Sequence, residues 1–232
     1  MTDTSAVVFG ASGGIGAAVA EALEASGAFK AVHRFARSLP EDAHLDLHDE
    51  ATIAAAAARV AKGPAPTLIF VATGVLHDGQ APERSYRAMT AEHLLRDYRV
   101  NTVGPALVAK AFLPLMPRDR RTVFAALSAR VGSIGDNRLG GWHAYRASKA
   151  GLNMILRNLA IELARSHPQM VVAGLHPGTV DTGLSAPFQK GVAADKLFTP
   201  AYSAERMLAV LDGLTPGDSG GVFGWDGARI PA

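Results

Sequence analysis

Ala6-Val7-Val8-Phe9-Gly10-Ala11-Ser12-Gly13-Gly14-Ile15-Gly16 is the stretch on which the fold turns. Its first four residues are apolar and read as a short buried strand. After the glycines, Ala17 to Ala25 is strongly helix-forming, and Gly27 stands where a helix is stopped at C′. Strand, glycine turn and helix in that order form the context a dinucleotide fingerprint requires. Glycine allows the tight turn and lets the backbone approach a pyrophosphate, while the helix start offers free N–H groups and the positive end of its dipole. A glycine turn with no ligand is the plainer alternative, and the correct flanking elements weigh against it. Gly10, Ser12, Gly14, Ile15 and Gly16 are therefore the candidate phosphate contacts.

The second informative stretch is Tyr145-Arg146-Ala147-Ser148-Lys149. On a helix, positions i and i+4 share a face, so a phenol and an ammonium can serve one site. A fixed cation beside a phenol favours phenolate, which would make Tyr145 a proton donor or acceptor near neutral pH. The pair alone is common by chance; its value comes from what accompanies it.

Apolar strand-like runs alternate with helical ones along the chain, which predicts an α/β fold with a parallel sheet crossed by helices. The expected strands are Ala6–Phe9, Ala31–Phe35, Ala43–Leu45, Thr67–Thr73, Thr122–Leu127, Met170–His176 and Gly221–Gly224. Expected helices lie near Gly14–Ser26, Ala51–Lys62, Ala91–Met116, His143–Ser166 and Ser203–Asp212, with Pro105 kinking the third just after Asn101. Residues 183–200 show no period and are expected to form a substrate loop. Nothing marks a linker, so residues 1–232 are expected to form one domain. In open parallel sheets ligands bind at the carboxyl ends of the strands, and Gly10, Arg37, Gly74, Ser128 and His176 all fall there.

Gly10-x-x-x-Gly14-x-Gly16 together with Tyr145-x-x-x-Lys149 resembles the short-chain dehydrogenase/reductase family, single-domain type, over nearly the whole chain. Asn101 in Val100-Asn101-Thr102-Val103-Gly104 looks like the family's catalytic asparagine, and Ser128 follows the strand where the family's serine lies. The segment His176-Pro177-Gly178-Thr179-Val180-Asp181-Thr182 resembles the Pro-Gly motif that touches the nicotinamide. Leu127 to Ile134 and the closing Gly220 to Gly227 look like the C-factor and sniffer-like carbonyl reductase branch. The resemblance implies a Rossmann-type doubly wound sheet of about seven strands. It also implies hydride transfer from a nicotinamide to a carbonyl, with Tyr145 protonating the oxyanion and Lys149 lowering its pKa and holding the nicotinamide ribose. Asn101 would hold a relay water on its main-chain carbonyl. Pro177, Gly178, Thr179, Val180 and Thr182 would flank the nicotinamide.

The family usually has two adjacent serines at the end of this strand, the second bonding the substrate oxygen. Here the pair reads Ser128-Ala129. Counting back from Tyr145 by the family's spacing gives Gly132, beside Ser133. Ser128 is the preferred choice, because a strand end is held more rigidly than a glycine-rich turn; Ser133, or no serine at all, remains open.

Cofactor preference turns on the end of the second strand, where an acid would bind a ribose 2′-hydroxyl and an arginine would accept a 2′-phosphate. The sequence there is His33-Arg34-Phe35-Ala36-Arg37-Ser38, and the first acid is Glu41. Arg37 is expected to read the phosphate, with Ser38 a donor and Arg34 a weaker second cation. NADP(H) is thus preferred over NAD(H), although Gly13 stands where many NADP-preferring relatives carry a basic residue. Asp46 and Leu47 sit where family members contact adenine, and Thr73 and Gly74 belong to Ala72-Thr73-Gly74, which replaces the usual Asn-Asn-Ala-Gly.

Composition agrees with a globular enzyme: 48% of residues are hydrophobic, 19% are charged, and there is no cysteine to form a disulfide or thiolate metal site. A net charge of +2 with scattered basic residues gives no reason to expect nucleic acid. No metal-ligand spacing appears around His44, His48 or His77, and His143 reads as a helix-start residue. No apolar run approaches ~20 residues and no leader pattern opens the chain, so a cytoplasmic protein away from membranes is expected. Trp142 is a candidate floor for a small carbonyl substrate, and Phe188 and Phe198 in the loop are candidates to close over it, each equally readable as packing. Three functions fit the motifs. The first is a carbonyl reductase. The second is an extended-type epimerase or dehydratase, for which 232 residues leave no substrate domain. The third is a nucleotide-binding signalling or redox-sensing protein of C-factor type. A homodimer or homotetramer is expected through Ala91–Met116 and His143–Ser166, with Ala147, Ala150 and Gly151 allowing close approach.

Overall fold

The computed structural model describes residues 2–77 and 79–232. Its strands are β1 (Thr2–Phe9), β2 (Phe29–Phe35), β3 (Pro66–Val71), β4 (Thr122–Leu127), β5 (Met170–His176), β6 (Thr179–Val180), β7 (Leu197–Phe198), β8 (Gly221–Gly224) and β9 (Arg229–Ile230). Its α-helices are α1 (Gly14–Ser26), α2 (Glu50–Val60), α3 (Ala91–Tyr98), α4 (Gly104–Phe112), α5 (His143–Leu163) and α6 (Pro200–Gly213). Seven strands form one sheet in the order β2-β1-β3-β4-β5-β8-β9, parallel throughout except for the β8–β9 pair. The protein has a Rossmann-type α/β fold.

Side-chain alternation explains why the sheet is covered twice. Val7, Phe9, Ile69, Val71, Phe124, Ala126 and Val172 face one way, against α2, α4 and α5. Ala6, Val8, Leu68, Phe70, Val123, Ala125 and Val171 face the other way, against α1 and α6. A parallel strand buried on both faces reads as a continuous apolar run, which is how these strands look in the sequence. The chain leaves β1 for β2 on one side and returns to β3 on the other, so the topological switch opens a crevice at the end of β1.

Two expectations need correction. Ala43–Leu45 is no strand: it contributes a single bridge, Ala36 to His44. Parallel neighbours in one sheet need a crossover of about a dozen residues, and only the short Ala36–Asp42 stretch is available. The seventh strand is β9 instead, added antiparallel at the far edge. The third expected helix is also not continuous. It unwinds into a π-helical turn at Arg99–Val103 before α4 begins. Pro105 has no N–H for the Asn101 carbonyl four residues back, so the irregularity is centred on Asn101 and not placed after it.

Residues 183–200 are more ordered in shape than their sequence suggests, with 3₁₀ turns at Ala186–Phe188 and Ala194–Lys196 and a small β6–β7 ribbon. Close approach is built into the glycine turn. A Cβ at Gly16 would lie 2.2 Å from the Gly10 carbonyl oxygen, and Gly10 itself has φ +75°.

Candidate active site

Two adjoining cavities run along the carboxyl ends of the strands, of about 450 and 330 Å³. Both are walled by Gly13, Ala72, Thr73 and Gly74. The larger takes in Gly10, Ser12, Arg37, Asp46 and Leu47; the smaller takes in Gly14, Ile15, Gly16, Ser128, Tyr145, Lys149, Pro177 and Thr182. Residues scattered from position 10 to position 182 therefore share one cleft. Its shape suits an extended dinucleotide, with the helix α1 N-terminus midway along it.

Lys149 sits one turn after Tyr145 on α5 and is 2% exposed. Its Nζ donates to the Leu127 carbonyl at the end of β4, at 2.8 Å, and lies 5.8 Å from the Tyr145 ring centroid. Burial pushes Lys149 down to about 8, with the negative charge of Asp97 opposing. Burial pushes the Tyr145 phenol up, and Asp97 adds to the rise. The direction is opposite to the sequence expectation of a lysine-lowered phenol. In this arrangement Tyr145 keeps its proton at neutral pH.

Asn101 is fully buried behind the cleft. Its amide brackets Val75, accepting from the Val75 N–H at 2.9 Å and donating to the Val75 carbonyl at 2.8 Å. It also donates to the Ser148 hydroxyl at 3.0 Å, which in turn donates to the Tyr145 carbonyl at 2.8 Å. The π-turn thus ties the loop after β3 to the helix that carries Tyr145 and Lys149.

The serines separate clearly. Ser128 lines the smaller cavity, and its hydroxyl donates to Asn153 Oδ1 at 2.6 Å. Ser133 is buried and accepts from the Asp136 N–H at 3.0 Å, closing a turn. The strand-end side chain packed with Tyr145 is that of Ala129, in a cluster with Leu76, Val131, Trp142 and Phe188.

Other candidates stand off the cavities. Gly178 (φ +78°) packs against Phe198 and Trp225, Thr179 and Val180 form β6, and Ser38 is exposed outside both walls. Arg34 pairs with Glu24 at 2.5 Å and lines neither cavity. The small residue Gly151 serves contacts inside the chain, against Tyr98 and Thr102. His77, set aside in the sequence for want of metal spacing, lines the larger cavity and contacts the Gly183 and Leu184 carbonyls at 3.2 and 3.1 Å. No sequence signal marked Glu83, a buried acid in the connection between β3 and α3.

The sequence matches the family described as short chain dehydrogenase over residues 4–193. The chain belongs to that family. Among relatives, it is 36% identical to C-signal of Myxococcus xanthus over 139 residues, covering 60% of this chain and 78% of that one. It is 30% identical to 1-hydroxy-2-glutathionyl-2-methyl-3-butene dehydrogenase of a Rhodococcus species, over 76% of this chain and 73% of the relative. The match to an uncharacterized oxidoreductase of Schizosaccharomyces pombe is 33% identical and spans 66% of this chain but only 60% of the relative. Among solved structures, NADPH-bound carbonyl reductase from chicken fatty liver aligns with a TM-score of 0.81 at 26% identity, over 100% of this chain and 99% of that one. Carbonyl reductase Sniffer of Drosophila melanogaster, at 21% identity and a TM-score of 0.78 over the whole of both chains, shares the fold. Members of this family are NAD(P)-dependent oxidoreductases. Among the described residues no helix is long and apolar enough to cross a membrane, and no cluster fit to hold a metal occurs.

The depressed Lys149 has a consequence for stability. Its folded pKa, about 8, lies below the ordinary 10.5. Between about pH 8 and 10 the unfolded chain holds a proton the folded one has released, so stability rises with pH there. Above about 10 the raised Tyr145 reverses the sign. Urea denaturation without nucleotide is expected to show this rise, up to roughly 1 kcal/mol per pH unit, and Lys149→Met is expected to flatten it. An unchanged slope in the variant would contradict the assignment.

Proposed function

We propose that this chain is an NADPH-preferring carbonyl reductase acting on a small aldehyde or ketone. The observation that carries the reading is the shared cavity of Tyr145, Lys149 and the Gly13–Gly16 turn. The nicotinamide, when bound, supplies the hydride. Tyr145 gives its phenolic proton to the oxygen of the carbonyl being reduced, and Lys149 supplies the neighbouring positive charge below about pH 8. Asn101 fixes Val75 and Ser148 on either side of that pair, and its main-chain carbonyl, denied a Pro105 donor, is the place for a relay water. Ser128, the cavity-lining hydroxyl, is the candidate second donor to the substrate oxygen, a role for which its proton turns away from Asn153 Oδ1. Arg37 in the larger cavity is the candidate reader of the 2′-phosphate, and the NADPH bound to the chicken carbonyl reductase supports that choice.

The wall about Tyr145 is apolar and aromatic. Trp142 lies 6.3 Å from the Tyr145 ring and 5.0 Å from Phe188, centroid to centroid. A signalling role of the C-signal kind is a second reading, favoured by the match to that protein; intact Tyr145 and Lys149 favour turnover. Leu95 on α3, with Met154 and Ile161 on α5, leaves apolar side chains exposed, 69%, 61% and 57% respectively. Those exposed side chains support a homodimer or homotetramer, readable by sedimentation at micromolar concentration.

Tyr145→Phe is expected to keep nucleotide binding and lose at least ~100-fold in turnover. Beside it, Ser128→Ala is expected to cost more kcat than Ser133→Ala. NADPH oxidation against aldehydes, ketones and quinones reads both, and retained turnover in Tyr145→Phe would sink the acid assignment. Arg37→Ala is expected to weaken NADPH by at least ~10-fold while leaving NADH nearly unchanged, since only NADPH carries the phosphate to be paired. Equal losses in fluorescence titrations would remove Arg37 as the reader.

A further inference from the structure

Glu83 lies in the long connection between β3 and α3, yet it is 3% exposed. Its main-chain carbonyl accepts from the Trp142 N–H at 2.5 Å, and its carboxylate Oε2 accepts from the Ala144 N–H at 3.3 Å. Those are donors at the start of α5, where backbone N–H groups lack partners within the helix. No side chain of α5's own cap residue supplies that bond. A carboxylate there also faces the positive end of the helix dipole.

The start of α5 is strained. Gly140, Gly141 and Trp142 are left-handed in succession, and Trp142, at φ +51°, is the non-glycine residue among them. Such a conformation costs about 1–3 kcal/mol and persists only where neighbours over-determine it. Glu83 is one such neighbour. Arg146 is another, donating to the Gly141 carbonyl at 3.0 Å, and Asn137 Oδ1 accepts from the Gly140 N–H at 3.0 Å. The residue so held, Trp142, packs on Tyr145.

Behind Glu83 stands His93, close to Oε1 but making no hydrogen bond to it. The Glu83 Oε1 lies 3.3 Å from His93 Nδ1, and His93 Nε2 lies 3.8 Å from Asp97 Oδ1, both on α3. Arg96 grips the same Asp97 oxygen at 2.8 Å and lines the larger cavity. A row of polar side chains, half-buried at Arg96 and buried at Asp97, His93 and Glu83, thus runs from the larger cavity to the first turn of α5. We propose that Glu83 is a positioning residue that fixes the first turn of α5, and with it the Trp142–Tyr145 wall of the substrate site. It touches neither substrate nor nucleotide and acts through the helix; its effect on turnover rests on Tyr145 being the acid.

The test uses the whole chain with Trp225→Phe, which leaves Trp142 as the one remaining tryptophan. Glu83→Ala is expected to raise acrylamide quenching of Trp142 by about two-fold or more and to lower kcat by about 10-fold or more, with NADPH affinity within about two-fold. Glu83→Gln keeps an acceptor for the Ala144 N–H and is expected to restore both readouts most of the way. Glu83→Asp, shorter by one methylene, serves the same comparison if the alanine variant does not fold. Unchanged Trp142 quenching in the alanine or aspartate variant overturns the proposal, as does a glutamine variant no better than alanine. A parent protein that fails to oxidise NADPH with any carbonyl sinks the reductase reading alone, since Trp142 quenching still decides the role of Glu83.

Discussion

A Cβ at position 132 would lie 2.7 Å from the Lys149 Cβ, and one at position 151 would lie 2.9 Å from the Tyr98 ring. Glycine at both places lets α5 close against the turn after β4 on one side and against α3 and the π-turn on the other. Packed interiors do not absorb even an added methyl without displacement. The close approach is what allows Lys149 Nζ to reach the Leu127 carbonyl and Thr102 Oγ1 to donate to the Ser148 carbonyl at 2.6 Å. Tyr145 is carried to the strand ends by the same contact. The site therefore depends on a steric permission before it depends on any charge.

The electrostatics follow from that packing. An ammonium taken out of water is costly unless paired, and Lys149 has one carbonyl partner with Asp97 acting at a distance. The same enclosure that draws the lysine down pushes the phenol up, so the two groups move toward their neutral forms together. Asp97 is itself raised by burial, although Arg96 opposes the rise. Spacing of i and i+4 placed the phenol and ammonium on one face but said nothing of where Nζ would point. It points to the strand end.

Much of the architecture was legible in the sequence because it rests on local rules. The glycine turn, α1 with its Gly27 stop at φ +61°, and the apolar runs of β1, β3, β4 and β5 all follow from period and punctuation. Ala43–Leu45 misled because its apolar residues satisfy a strand pattern while the connection is too short for a parallel neighbour. Part of the candidate site was legible too, since Gly10, Arg37, Tyr145 and Lys149 carry their chemistry in their identity. Glu83 was not, because a buried acid in a loop looks like a solvated one until its N–H partners are known. Ser128 shows the same limit: a hydroxyl at the right strand end gives no sign of its bond to Asn153.

The segment after Thr182 illustrates how far a loop can be constrained without a regular element of its own. Its start is held by the β6–β7 ribbon and by His77, which reaches the Gly183 and Leu184 carbonyls from the loop after β3. Its far end is capped into α6 by Thr199, whose side chain accepts from the Tyr202 N–H at 3.2 Å. Between those anchors Phe188 is brought to Trp142, and Trp142 is brought to Tyr145 by the strained turn before α5. The pocket wall thus joins three stretches distant in sequence: the loop after β3, the start of α5 and the segment after Thr182. Phe188, Leu184 and Trp142 all lie outside the Gly10–Gly16 turn, so the wall beside Tyr145 and the glycine turn are built from separate stretches of the chain.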